Sequence, residues 1–286
     1  MVFLSSESSG KPNFFYFVHP DWHKIGAEFT KQIIAFLEYS TLNQNGKVQL
    51  ITVLNKTLNV LGCAMYHLRN YSVLEQSRRD YLRNSAPPAK DSCRERFVVM
   101  PDLQCELQAF LLQLQRSFDT LPEMMKPVLA IPKEITFGEA GEGILDVLQE
   151  ILISDIADVR KHPVEKLIRL MEHSTEPAPS GRSKKRPWIK LLSDFRKKAM
   201  KEEEPALAVY RIEENPGGQI VVHTPLYSKH QSLGEFLELM WKTTLEFHRD
   251  FYSLMVFWTL RSTHTFTLLP ENEQTNWQKW KVVSAL

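Results

Sequence analysis

The chain has 286 residues, 43% of them hydrophobic and 24% charged, the balance of an ordinary globular protein with enough length for a sizeable core. Eleven glycines and 16 prolines exclude a fibrous or low-complexity chain. The formal charge of +1 is a cancellation: residues 1–176 carry 19 basic and 22 acidic side chains, 177–201 nine and one, and 202–286 seven and 11.

The chain begins with four apolar residues, Met1 to Leu4, and then a polar stretch, without the basic and apolar regions expected of a signal peptide. The aromatic run 13–18 precedes His19, Pro20 and Asp21, and Asp21 is placed to cap a helix from 22 to about 42 that carries Ile25, Phe29, Ile33, Phe36 and Leu37. A second helix is expected over 48–82, with Leu50, Leu54, Leu58, Leu61, Met65 and Leu68 on one face. Residues 84–96 read as a loop. A third helix opens at Asp102 and ends before Pro122, and a short one covers 124–129. Two more are expected over 144–159 and 164–171, broken at Pro163.

Residues 176–187 hold three prolines and four basic residues and read as a linker. Pro187 suits the first turn of the helix that follows, with Trp188, Leu191, Leu192, Phe195 and Ala199 as its apolar stripe. The one convincing β signal is a hairpin formed by 206–213 and 219–224 around Pro216-Gly217-Gly218. Ser232 then caps a long helix reaching Trp258, while 263–286 has no strong pattern. The sum is a mainly α protein, a multi-helix bundle with one hairpin inserted before a long C-terminal helix. Its expected organisation is a bundle over 1–176, a basic linker over 177–187, and a helix, hairpin, long helix and tail over 188–286, either a separate lobe or packed on the same bundle.

Chemistry is sparse. Cys63, Cys93 and Cys105 form neither a disulfide framework nor a zinc motif. There is no nucleophile elbow, phosphate loop or zinc-protease motif, so neither cofactor nor metal is expected. The glycines at 138, 141 and 143 fit no phosphate fingerprint, and Glu139 and Glu142 beside them would repel a phosphate. His248 is expected at the margin of the last helix's apolar face, with Glu246, Arg249 and Asp250 on the solvated side. In the third helix, some of Glu106, Gln113, Arg116, Ser117 and Asp119 must be bonded inside or line a cleft. The most apolar run, 251–260, is short for the ~18–20 residues of a membrane span, so a cytoplasmic chain without membrane contact is expected.

The stretch 106–119, with Glu106, an Ala-Phe-Leu, then Arg116-Ser117 and Asp119, resembles the second long helix of the HEPN-like superfamily of bacterial defence and toxin-type proteins. Residues 188–196 resemble the later helix that carries the arginine of that family's R-x4–6-H motif. The resemblance implies an all-helical, usually dimeric protein of toxin–antitoxin, defence or RNA-processing systems, whose active members cut RNA with that Arg and His. This chain departs from the pattern at the decisive point. After Arg196 comes no imidazole at the required spacing, and Arg169 is followed by His173 with only three residues between. A catalytically silent relative is therefore expected, because a proton-transfer group near neutrality is missing.

The expectation is a helical module that binds RNA or a partner protein, in which a homodimer fits the family. Its nucleic-acid contacts would come from Arg182, Lys184, Lys185, Arg186, Lys190, Lys197 and Lys201. The competing reading is a ribonuclease-type toxin with a non-standard site, for which Arg196, Glu106, Arg169 and His173 are the candidates. A third is a helical scaffold without nucleic acid, signalled by exposure of the 236–258 apolar face.

Overall fold

Helices form where the apolar period recurs, and their ends are set by what they meet. The computed structural model describes residues 20–85, 95–129, 134–138, 141–154, 158–172, 188–200, 207–215, 218–274 and 278–285. Helix α1 (Pro20–Leu37) stops earlier than its sequence suggests, because the chain beyond it bonds elsewhere. Ser40 Oγ meets Thr259 Oγ1 at 2.7 Å and the Thr41 amide donates to the Thr259 carbonyl at 2.7 Å. Helix α2 (Gln44–Ser85) then runs for 42 residues and buries Leu50, Leu54, Leu58, Leu61, Met65 and Leu68 as expected. Among the described residues it is the one helix long and apolar enough to cross a membrane, and 44% of its most apolar window is buried inside the protein.

Strand β1 (Glu95–Val99) corrects the reading of 84–96 as a loop at its far end. It leads into α3 (Pro101–Asp119), which packs antiparallel on α2, and α4 (Leu121–Leu129). Helix α5 (Glu142–Ile153) starts at Gly141, whose φ of +85° suits glycine, and α6 (Asp158–Glu172) follows. The break between them falls at Ser154, where the backbone turns extended, and not at Pro163. Pro163 lies early in α6, where one lost hydrogen bond is outweighed by the buried stripe of Val164, Leu167, Ile168 and Met171. Helix α7 (Trp188–Met200) begins just after Pro187.

The expected hairpin is β2 (Val209–Glu214) with β3 (Ile220–His223), and β1 adds to its other edge, giving a three-stranded antiparallel sheet in the order β1-β2-β3. Tyr210 of β2 ties the sheet to α2 by donating its hydroxyl to the Glu75 carbonyl at 2.6 Å. A two-residue turn joins β4 (Leu226–Ser228) to β5 (Gln231–Ser232), and Tyr227 stacks flat on Phe236 at 3.6 Å. Ser232 and Glu235 then form a reciprocal capping box that opens α8 (Leu233–Trp258). The tail is not patternless: β6 (His264–Leu268) pairs antiparallel with β7 (Trp280–Ser284).

The core is centred on Phe118, whose ring lies 5.0–5.5 Å from those of Phe137, Trp188, Phe247 and His248. Trp188 thus packs against α3 and α8, and both helices share one apolar cluster with α2 and α4. The α8 face from Phe236 to Phe257 is buried inside the chain, which removes the exposure that would have marked a bare scaffold. His248 is deeper than expected, 1% exposed, with Nδ1 against the Thr244 carbonyl at 2.9 Å and Nε2 against that of Ser117 at 3.2 Å. Arg249 and Asp250 also overturn their expected solvation, each 9% exposed, because α6 and the C-terminal hairpin pack over that side of α8.

Candidate functional site

Two polar regions contain the sequence-derived candidates. The first is the seam between α2 and α3. Their antiparallel packing sets Thr57 against Thr120, His67 against Glu106 and Arg78 against Asp102. Glu106 accepts from His67 Nδ1 at 2.7 Å through one oxygen and from Asn70 Nδ2 at 3.3 Å through the other, all three side chains being part-buried. Arg78 donates through Nε and Nη2 to one oxygen of Asp102, at 2.9 and 2.5 Å, and this bond holds the Asp102 carboxyl below the usual carboxylate range. Ser117 is fully buried and donates to the Leu114 carbonyl.

The chemistry of this seam is that of a closed set of partners. Cys63 stands one helical turn before His67, but burial pushes its thiol up, with Arg116 only partly opposing, so no thiolate nucleophile is prepared. Sequence inspection found Glu106 and missed His67 and Asn70. Their three-residue spacing on α2 puts them on one face, but only the packing of α3 shows which face meets Glu106.

Among the ribonuclease candidates, Glu106 is turned away from α7, the helix of Arg196. Gln104 and Gln108 of α3 donate to the Ala199 carbonyl at the end of α7, at 3.4 and 2.7 Å. Glu106 lies between them in sequence and therefore on the opposite side of α3, facing α2. Arg196 sits on α7, with its Nε buried and without a hydrogen-bond partner. Arg169 is on α6, and His173 lies outside the described residues.

The second region is basic. Helix α7 lies beside the N-terminal half of α8, with Trp188 on Phe247 and Phe195 on Phe236. Helix α6 covers the C-terminal half, where His162 stacks on Phe266, which stacks on Phe257. Residues 173–187 join the two. Lys190, Lys197 and Lys198 are exposed on α7. Arg182, Lys184, Lys185, Arg186 and Lys201 lie outside the described residues.

On α6, His162, Lys166 and Arg169 follow one another by four and three residues and so share a side. The first two meet the C-terminal hairpin: His162 stacks on Phe266, and Lys166 Nζ stands 4.9 Å from the centre of the Trp280 ring, with Lys279 Nζ 5.8 Å from the same ring. Asp250 takes Arg249 Nε at 2.9 Å and Lys279 Nζ at 3.2 Å. Burial, then the Arg169 and Lys279 charges, hold the Lys166 ammonium below its ordinary range, and burial with Lys166 does the same for His162. Sequence inspection singled out Arg169 here but not Lys166, Lys279 or Trp280, which fall in an unremarkable helix and an apparently featureless tail. No group of three or more histidine, cysteine or carboxylate side chains suited to a metal occurs among the described residues.

Comparison of the chain with protein-family models, with curated proteins and with solved structures gives no match in any of the three.

Proposed function

We propose that the protein is a cytoplasmic, HEPN-like helical module that binds RNA through basic residues of α6, of α7 and of the sequence stretch 182–186 between them, and does not cut it. The observation that carries this reading is the outward row of Lys190, Lys197 and Lys198 on α7, contiguous in sequence with the basic stretch 182–186. Ammonium groups spread along a surface suit regularly spaced phosphates, whose neutralisation releases counterions and makes binding salt-dependent. The non-cutting half is supported by Glu106, which is occupied by His67 and Asn70 on the side of α3 away from α7, and by Arg169, which lies near other cations.

The test is a mobility-shift titration of single-stranded RNA at several salt concentrations. A shift that weakens steeply with salt, and further when Lys184, Lys185 and Arg186 or Lys190 and Lys198 become glutamine, is expected. Unchanged mobility at low salt overturns the binding reading. RNA cleavage by the pure protein that is lost in Arg196→Ala or His173→Ala overturns the non-cutting half.

A further inference from the structure

We infer that the junction of α6 with the C-terminal hairpin is a subsite for one phosphate group, formed by Lys166 and Arg169 of α6 and by Lys279, the residue before β7, beside the Trp280 indole. The inference rests on the RNA reading for the source of the phosphate, and on the geometry for the chemistry. A cation over an indole is a common structural contact, and one lysine there needs no ligand. Here two ammonium groups approach the same ring, at 4.9 and 5.8 Å, with a guanidinium one turn further along α6. Lys166 feels the charges of Arg169 and Lys279, and like charges held together repel one another unless an anion offsets them.

The protein supplies little of that anion. Among the described residues the carboxylate bonded in the cluster is Asp250, which takes both Arg249 and Lys279. Among the described residues no carboxylate forms an ion pair with Lys166 or Arg169. A second observation points the same way. Trp280 is 8% exposed, yet its Nε1–H is buried without an acceptor. A donor left unmet inside a protein is costly, and native structures rarely keep one without a reason. A phosphate oxygen is an acceptor that also attracts the ammonium and guanidinium groups, and its three or four oxygens match that many donors better than a carboxylate's two. His162 borders the cluster with its ring exposed and stacked on Phe266 at 5.6 Å, and the depressed basicity of its imidazole keeps it from adding further positive charge near neutrality.

The experiment uses the full chain, the double variant Lys166→Gln/Arg169→Gln and the variant Trp280→Phe, each checked for an unchanged circular-dichroism spectrum. Two probes are titrated separately: inorganic phosphate, read by tryptophan fluorescence, and a single-stranded RNA without terminal phosphates, read by mobility shift at several salt concentrations. The parent is expected to bind the RNA about tenfold more tightly than the double variant near 0.1 M salt, and the variant's salt slope to be shallower by about one to two. A fluorescence response to phosphate in the parent, absent from both variants, supports the subsite and shows that a free anion suffices. An RNA effect without a phosphate response supports it with the polymer backbone as the source. If the parent and double variant bind RNA with the same affinity and slope, the subsite falls while the RNA reading stands. If phosphate responds in a Lys166-dependent way and RNA does not bind, the RNA reading falls and the subsite stands.

Discussion

The α2–α3 seam and the α6–hairpin junction are both rich in charge, and they treat it in opposite ways. In the seam the cationic or hydrogen-bond-donating groups have carboxylate partners, as His67 and Asn70 have Glu106 and Arg78 has Asp102. At the junction Lys166 and Lys279 approach one indole with the Arg169 charge felt nearby, and among the described residues neither Lys166 nor Arg169 has a carboxylate partner. Matched charge holds two helices in register and asks nothing of solvent. Unmatched charge costs stability within the fold and is retained where something outside supplies the counter-charge.

The largest expected effect removes the floor of the junction. Trp280 is nearly buried and packs edge-on against Phe257 and Phe266, so Trp280→Ala should lower the unfolding free energy by about 3 kcal/mol in a denaturant titration. In the seam, Glu106→Ala leaves the part-buried His67 and Asn70 without their acceptor and should cost about 1–2 kcal/mol by the same measurement.

Acid separates histidines by their partners. Burial holds the basicity of His248 below the ordinary value and outweighs the two carbonyl oxygens, of Thr244 and Ser117, that would favour the charged ring. The unfolded chain therefore binds a proton that the folded one resists. Stability from this group is complete above its unfolded value of 6.5 and is lost as the pH falls below it, at up to about 1.4 kcal/mol per pH unit. Unfolding curves between pH 7.5 and 5.5 should show this slope in the parent and a flatter one in His248→Gln.

The smallest effect is the most telling for the comparison. Arg169→Gln removes a repelling cation from an exposed position and should leave stability unchanged or raise it by about 0.5 kcal/mol. A loss as large as that of Glu106→Ala would mean that the junction is held together by its charges, like the seam, and would erase the distinction.

Much of the helical architecture is legible in the residues because it is local. The periodic leucines of α2, the Pro187 entry to α7 and the Ser232–Glu235 capping box each lie within a few residues of the structure they specify. The elements that escaped, β1 and the β6–β7 pair, owe their form to partners far away in the chain. The five residues of β1 are ordered by pairing with β2, as in Val98 opposite Tyr210, and the hairpin closes 11 residues of separation between Leu268 and Trp280. Short strands carry too few alternations to announce themselves, and their hydrogen bonds appear only on assembly.

The candidate site divides along the same line. Charge counting alone located a basic element between two mildly acidic stretches, since charge is a property of the residues themselves. It did not find that Lys166 and Lys279 meet over Trp280, or that Glu106 turns away from α7 toward His67, because those relations depend on which helix faces are pressed together. Composition and periodicity determined that this chain is mainly helical and where its positive charge lies. Whether a given charge is satisfied was decided by the tertiary packing, which alone brings residues more than a hundred positions apart within reach of the same indole ring.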